Sequence, residues 1–123
     1  MRKIILDTNA LMAIAEFKID IFSELERVCD FTYDLYILEG TIKELRKIME
    51  EQRQKFKRAA KLALAIVKAK GIKKIASSKY VDDELVELSK KGDLVLTQDI
   101  ELKKRLTKPY FTIRQKKRVV LIK

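Results

Sequence analysis

The chain of 123 residues has no histidine, one cysteine, one proline and three glycines. Without histidine there can be no Ser-His-Asp triad, no Cys-His pair and no His-ligated zinc site. Cys29 alone cannot close an internal disulfide, so nothing points to an oxidising compartment. Flanked by Val28 and Phe31, it reads as a half-buried helix end rather than a reactive thiol. No stretch approaches the roughly 18 apolar residues of a membrane span. The opening Met-Arg-Lys-Ile-Ile-Leu-Asp reaches an acid too early for a secretory signal peptide. A soluble, cytoplasmic protein without membrane association is therefore expected, and any metal it holds must accept oxygen ligands. Gly40, Gly71, Gly92 and Pro109 are too few to build a long linker, so residues 1–123 are expected to form one domain.

What the chain does contain is charge. Asp, Glu, Lys and Arg make up 37% of it, against about 25% in an average soluble protein. Lys and Arg outnumber acids to give a net of +10, which suits a polyanionic partner such as nucleic acid. Hydrophobic residues at 47% are enough to fold the chain without a disulfide or structural metal.

Short apolar runs alternate with helical patterns. Lys-Ile-Ile-Leu (3–6) suits a strand buried on both faces, and a helical pattern over 11–15 follows it. Ile19, Phe22, Leu25 and Val28 mark a second helix. Residues 33–38 read as a strand, broken by Gly40-Thr41 before a helix from Ile42. A helix over 53–70 carries a core stripe of Phe56, Ala59, Ala60, Ala63, Leu64 and Val67 and stops at Gly71. Strands at 72–76 and 94–97 alternate with helices at 81–90 and up to Leu106, and 110–113 and 119–122 are candidate closing strands. This order predicts an α/β fold with a mainly parallel sheet covered on both faces.

In such a fold ligands bind beyond the carboxyl ends of the strands. Asp7 follows the first strand and Glu44 lies in the helix after the second. Asp82 opens the helix after the third, and Asp99 stands two residues past the fourth. Each acid has a structural alternative, because carboxylates cap helix N-termini; Thr41 and Glu44 have the spacing of a capping box. Gathered along one edge, the four would repel one another and rise in pKa unless a cation compensated. Magnesium or manganese, which prefer oxygen ligands, would do so. Helical spacing puts Asp82 above the face of Leu85, Val86 and Ser89, and Asp83 with the outward Glu87 and Lys90. Asp82 is therefore favoured as the inward acid, with Asp83 as fallback.

Ile-Ile-Leu-Asp-Thr-Asn (4–9), Thr-Ile-Lys-Glu-Leu (41–45), Val-Asp-Asp-Glu-Leu-Val (81–86) and Leu-Thr-Gln-Asp-Ile-Glu-Leu-Lys-Lys-Arg-Leu (96–106) resemble the four acidic motifs of the PIN domain family. The resemblance covers essentially the whole chain, and its short form looks most like archaeal VapC-type toxins and rRNA-processing endonucleases. It implies a Rossmann-like three-layer α/β/α fold and a magnesium- or manganese-dependent endoribonuclease. Asp7, Glu44, Asp82 and Asp99 would form its acidic constellation, and Thr97 the small hydroxyl residue lining it. It also implies a homodimer and, for a toxin, an antitoxin protein partner. Leu11, Met12 and Ile14 are candidates for the dimer interface.

Lys43, Arg46 and Lys47, beside Glu44, are the favoured phosphate contacts. Arg53, Lys57 and Lys61 and the run Arg114, Lys116, Lys117, Arg118 add basic surface, most of it expected to be simply solvated. Packing is the expected role of Tyr33, Tyr36, Tyr80 and Tyr110, with base stacking the alternative. Other functions fit less well. A haloacid-dehalogenase-type phosphotransferase needs a second Asp where Asn9 stands, and a nucleotide-binding Rossmann protein needs glycines that Asp7-Thr8-Asn9-Ala10 lacks. A catalytically silent PIN scaffold that binds RNA or a protein partner is the remaining alternative.

Overall fold

The first apolar run becomes strand β1 (Arg2–Leu6) of a computed structural model that describes residues 1–123. Successive side chains point to opposite faces, so Ile4 and Leu6 enter one core and Ile5 the other. The same division recurs in β2 (Tyr33–Leu38), through Ile37 and Leu38, and in β4 (Leu94–Leu96), where Val95 faces away from its neighbours. Their buried stretches, residues 4–6, 37–38 and 94–96, are continuously apolar because both faces are covered. With β3 (Lys73–Ile75), β5 (Tyr110–Arg114) and β6 (Arg118–Ile122) they form one sheet of order β3-β2-β1-β4-β5-β6. All pairings are parallel except the β5–β6 hairpin.

Helices α1 (Thr8–Glu16), α2 (Ile21–Val28), α3 (Glu39–Glu51) and α4 (Gln54–Ala69) cover the larger core. Helices α5 (Val81–Lys90) and α6 (Ile100–Arg105) cover the smaller one. The result is the expected three-layer α/β/α arrangement. In α4 the stripe of Ala59, Ala60, Ala63 and Val67 is buried as its spacing predicts, and these small side chains let α1 and α3 pack against it. Gly71, at φ +61°, ends that helix, with Ile72 N–H donating to Val67 O at 3.1 Å.

Two expectations change. Helix α3 starts at Glu39, not Ile42, and Gly40 lies in its first turn instead of breaking the chain. Glycine is needed there for packing: a Cβ would stand 2.6 Å from Val81 Cγ2, and Gly40 N–H donates to Ser77 Oγ at 2.8 Å. Thr41 is consequently inside the helix and fully buried, its hydroxyl without a partner, and no capping box forms. The proposed dimer patch also fails as a unit. Leu11 is fully buried in the chain's own core and Met12 nearly so, leaving only Ile14 half-exposed.

The chain runs outward from β1 through β2 to β3, then crosses to β4 on the other side of β1. That reversal opens a crevice above the carboxyl ends of β1 and β4, the usual ligand position in open α/β sheets.

Candidate active site

Asp7 sits at this reversal, where β1 turns into α1. Its N–H donates to Leu96 O of β4 at 3.0 Å, and its side chain caps α1 by accepting from Thr8 N–H at 2.8 Å. The second carboxyl oxygen accepts from Thr97 Oγ at 2.8 Å. Asp7 is 5% exposed, and this burial pushes its carboxyl up to about 6 from 3.8. The Thr97 and Thr8 hydrogen bonds oppose the rise, and the charges of Asp82 and Glu44 add to it.

The surrounding groups are tied to the same point. Thr97 is fully buried just past β4; its hydroxyl oxygen accepts from Asp99 N–H at 3.1 Å. A hydroxyl has one proton, and the shorter contact, to Asp7 rather than to Asn9 Oδ1 at 3.2 Å, takes it while Asp7 is ionised. Asn9 Oδ1 also accepts from Gln98 N–H at 3.1 Å, stapling the loop after β4 to the start of α1. Asp99 caps α6 by accepting from Leu102 N–H at 3.1 Å. Glu44, on the exposed rim, accepts from Thr8 Oγ at 3.0 Å instead of folding back on its own helix. Partial burial raises its carboxyl, opposed by Thr8 and aided by Asp82.

Helix α5 brings two acids to the opposite wall. Asp82 lies exposed at the mouth, and its carboxyl is raised by partial desolvation and by the nearby charge of Asp99, against the pull of Arg105. Asp83 turns aside to accept from Arg105 Nη2 at 2.7 Å. The acid of α5 that is buried is a third one, Glu84, which accepts from Ser78 and Lys79 N–H at 2.9 and 2.8 Å and pins the loop leading into the helix. Glu84 is not distinguished in the sequence from Asp82 and Asp83, because nothing local reveals that its side chain reaches back to the loop before the helix.

Asp7, Glu44, Asp82, Asp83 and Asp99 all line one cleft of about 610 Å³. Thr8, Asn9, Met12, Ile48, Tyr80, Val81 and Arg105 complete its wall. Thr97 lies beneath it. Tyr80, expected to pack, is 84% exposed at the mouth. Lys43, Arg46 and Lys47 do not reach the cleft: all three lie on the exposed side of α3, and Arg46 lines a separate groove with Leu64, Val67 and Lys74. Arg105, absent from the sequence-based candidates, is the one basic residue in the wall.

The donors in this cleft are hard oxygens, with no thiolate or imidazole among them. No three acids stand close enough to make a closed ligand set. Magnesium binds through one or two carboxylates while keeping several waters, and manganese shares its oxygen preference. The wall therefore fits a hydrated divalent cation and not a dehydrated cage. Mutual repulsion around a desolvated Asp7 is the electrostatic situation such a cation relieves.

Known proteins share this fold. A family model described as a PIN-like domain matches residues 4–116. The chain is 31% identical over 123 residues to Ribonuclease VapC4 of Methanocaldococcus jannaschii, covering 95% of this chain and 94% of that protein. The solved PIN domain endonuclease Utp24 superposes with a TM-score of 0.76 at 23% identity, over 97% of this chain and 90% of that one.

Proposed function

The chain belongs to the PIN-like domain family, and from that premise we propose that it is a metal-dependent endoribonuclease hydrolysing RNA phosphodiester bonds in the acidic cleft. Its relatives include a ribonuclease, which supports nuclease function in general. The observation that carries the finer reading is the meeting of Asp7, Asp82 and Asp99, from the starts of α1, α5 and α6, with Glu44 from the second turn of α3, around one open cleft.

Asp7, with Asp82 and Asp99, would hold magnesium or manganese. When bound, the cation lowers the pKa of a water nucleophile and neutralises charge developing on the phosphate. The chain's own residues set the stage for this. Thr97 and Thr8 hold the Asp7 carboxylate in one orientation from beneath and beside it. Glu44, steadied by Thr8, is placed to orient the attacking water or to accept its proton. Asp99 carries its carboxylate on a loop fixed by Thr97 and by its own helix cap. Tyr80 offers an exposed ring on which an unpaired base can stack. Lys43 and Lys47, outside the cleft on the helix that bears Glu44, would contact phosphates farther along the strand.

The protein acts as a single PIN-like unit of residues 1–123 in the cytoplasm. The VapC relative favours a toxin-type role with an antitoxin partner over an rRNA-processing one. The test is cleavage of end-labelled RNA in magnesium, manganese or EDTA, with Asp7→Asn and Asp82→Asn purified alongside. Metal-dependent cutting lost in both variants is expected. Cutting that survives both substitutions would place the chemistry elsewhere, and RNA binding without cutting in either metal would favour the silent scaffold.

A further inference from the structure

We infer that Arg105 is the residue that takes a substrate phosphate inside the cleft, and that Asp83 positions it instead of holding metal. The inference rests on the endoribonuclease reading but is carried by separate observations. The wall holds five carboxylates and one cation, Arg105. A phosphodiester entering among those acids is repelled except where a fixed positive group receives it. Arg105 comes from the last turn of α6, where a cation also complements the helix dipole.

Arg105 is held loosely enough to be used. Its single side-chain hydrogen bond runs from Nη2 to Asp83 Oδ1 at 2.7 Å. Guanidinium carries five N–H donors in a planar fork, so four remain for a ligand, and the fork matches phosphate oxygens two at a time. Both side chains of the pair are 49% exposed. Ion pairs this open contribute little to stability, so holding the fold together is a poor explanation for a cation set into an acidic wall.

The two neighbouring acids of α5 thereby divide. Asp82 carries the charge felt by both Asp7 and Glu44. Asp83 has its carboxylate on Arg105, and the bonded pair lines the cleft wall together. On substrate entry the fork keeps Asp83 as an anchor and gives its free edge to the phosphate.

The test uses the whole chain with a short fluorescein-labelled oligouridylate. Binding is read by anisotropy in calcium over a range of salt, and cleavage in manganese. Arg105→Gln is expected to raise Kd about fivefold to twentyfold and to lower the slope of log K against log salt by about 0.7, one phosphate contact on a single strand. Arg105→Lys restores the slope but not the full affinity, since a point charge lacks the fork. Asp83→Asn is expected to lower kcat about tenfold in the wild-type background and no further in Arg105→Gln, because it acts through that residue. Calorimetric manganese binding by Asp83→Asn should match wild type, while Asp82→Asn loses it.

Arg105→Gln that binds with wild-type affinity and slope overturns the inference, and if wild type still cuts, the nuclease reading survives. Wild type that binds without cutting, with Arg105→Gln weakened, retires the nuclease and keeps the phosphate contact. Manganese binding lost in Asp83→Asn makes Asp83 a ligand and overturns its positioning role. Wild type that binds no oligouridylate overturns the phosphate contact, and if it still cuts the RNA panel the nuclease reading stands without it.

Discussion

Replacing Asp7 by asparagine is expected to stabilise the metal-free protein at neutral pH while abolishing the proposed activity. Burial lifts the Asp7 carboxyl to about 6, against 3.8 for the unfolded chain. The folded protein thus binds this proton more tightly, so stability falls as pH rises from 3.8 to about 6 and stays lower above that. At about 1.4 kcal/mol per pKa unit, the penalty above the window is about 3 kcal/mol. Asparagine resembles the protonated acid and keeps its contacts. Its amide oxygen can accept from Thr8 N–H and its amide nitrogen can donate to Thr97 Oγ, whose proton then turns to Asn9 Oδ1, 3.2 Å away. As an N-cap for α1, asparagine is as good as aspartate.

The assay is thermal unfolding by circular dichroism in EDTA, from about pH 4 to pH 8. Asp7→Asn should melt about 10–12 °C above wild type near neutrality and close to it near pH 4. Manganese should close the gap from the other side, adding about 2.7 kcal/mol to wild type at a hundredfold excess over Kd and nothing to the variant. A variant no more stable than wild type at neutral pH would refute the reasoning, as would a gain that persists unchanged in acid.

Other perturbations follow from single contacts. Glu84→Ala strips Ser78 and Lys79 N–H of their acceptor and should cost about 1.5–3 kcal/mol in urea denaturation, with faster hydrogen exchange at both amides; unchanged exchange would speak against the pinning role. Gly40→Ala drives a Cβ to 2.6 Å from Val81 Cγ2 and should cost about 1–3 kcal/mol. Val81→Ala in the same chain should return part of that loss, and purely additive effects would mean the clash is relieved elsewhere. Tyr80→Ala should weaken binding of single-stranded RNA by about 1–3 kcal/mol, and Tyr80→Phe should not.

Sequence pattern and structure agree where a single element carries the information. The α4 stripe and the stop at Gly71 were legible because helical periodicity and a left-handed cap are local properties. The meeting of Asp7, Glu44, Asp82 and Asp99 was legible because a parallel sheet sends every strand's carboxyl end to one edge. Contacts between elements were not. Nothing in Gly40-Thr41 reveals that Val81 presses on Gly40, so glycine there reads as a break when it is a packing requirement. Lys43, Arg46 and Lys47 adjoin Glu44 in sequence, yet successive helical residues turn by about 100°, and none of the three lines the cleft. Arg105 lies in a run of basic residues at the end of α6, and only the approach of α5 separates it from Lys103 and Lys104.

The placement of charge joins these observations to the proposed chemistry. The excess of basic charge lies outside the cleft, in part on the exposed face of α4 and around the β5–β6 turn, while the cleft itself gathers five acids around Arg105. Surface and site would therefore act on RNA with opposite signs. The basic exterior attracts a strand over about a Debye length, roughly 8–10 Å at physiological salt. The acidic interior would, on the proposed chemistry, reject its backbone until a divalent cation occupied the wall. Two consequences separate this arrangement from a uniformly basic binding surface. Added monovalent salt should weaken capture, raising KM steeply, while leaving kcat nearly constant because the cleft is screened less than the exterior. Removing the divalent cation should instead suppress turnover while RNA remains bound to the outer surface. A protein whose RNA binding and turnover decline together under both treatments would have no such division between capture and catalysis.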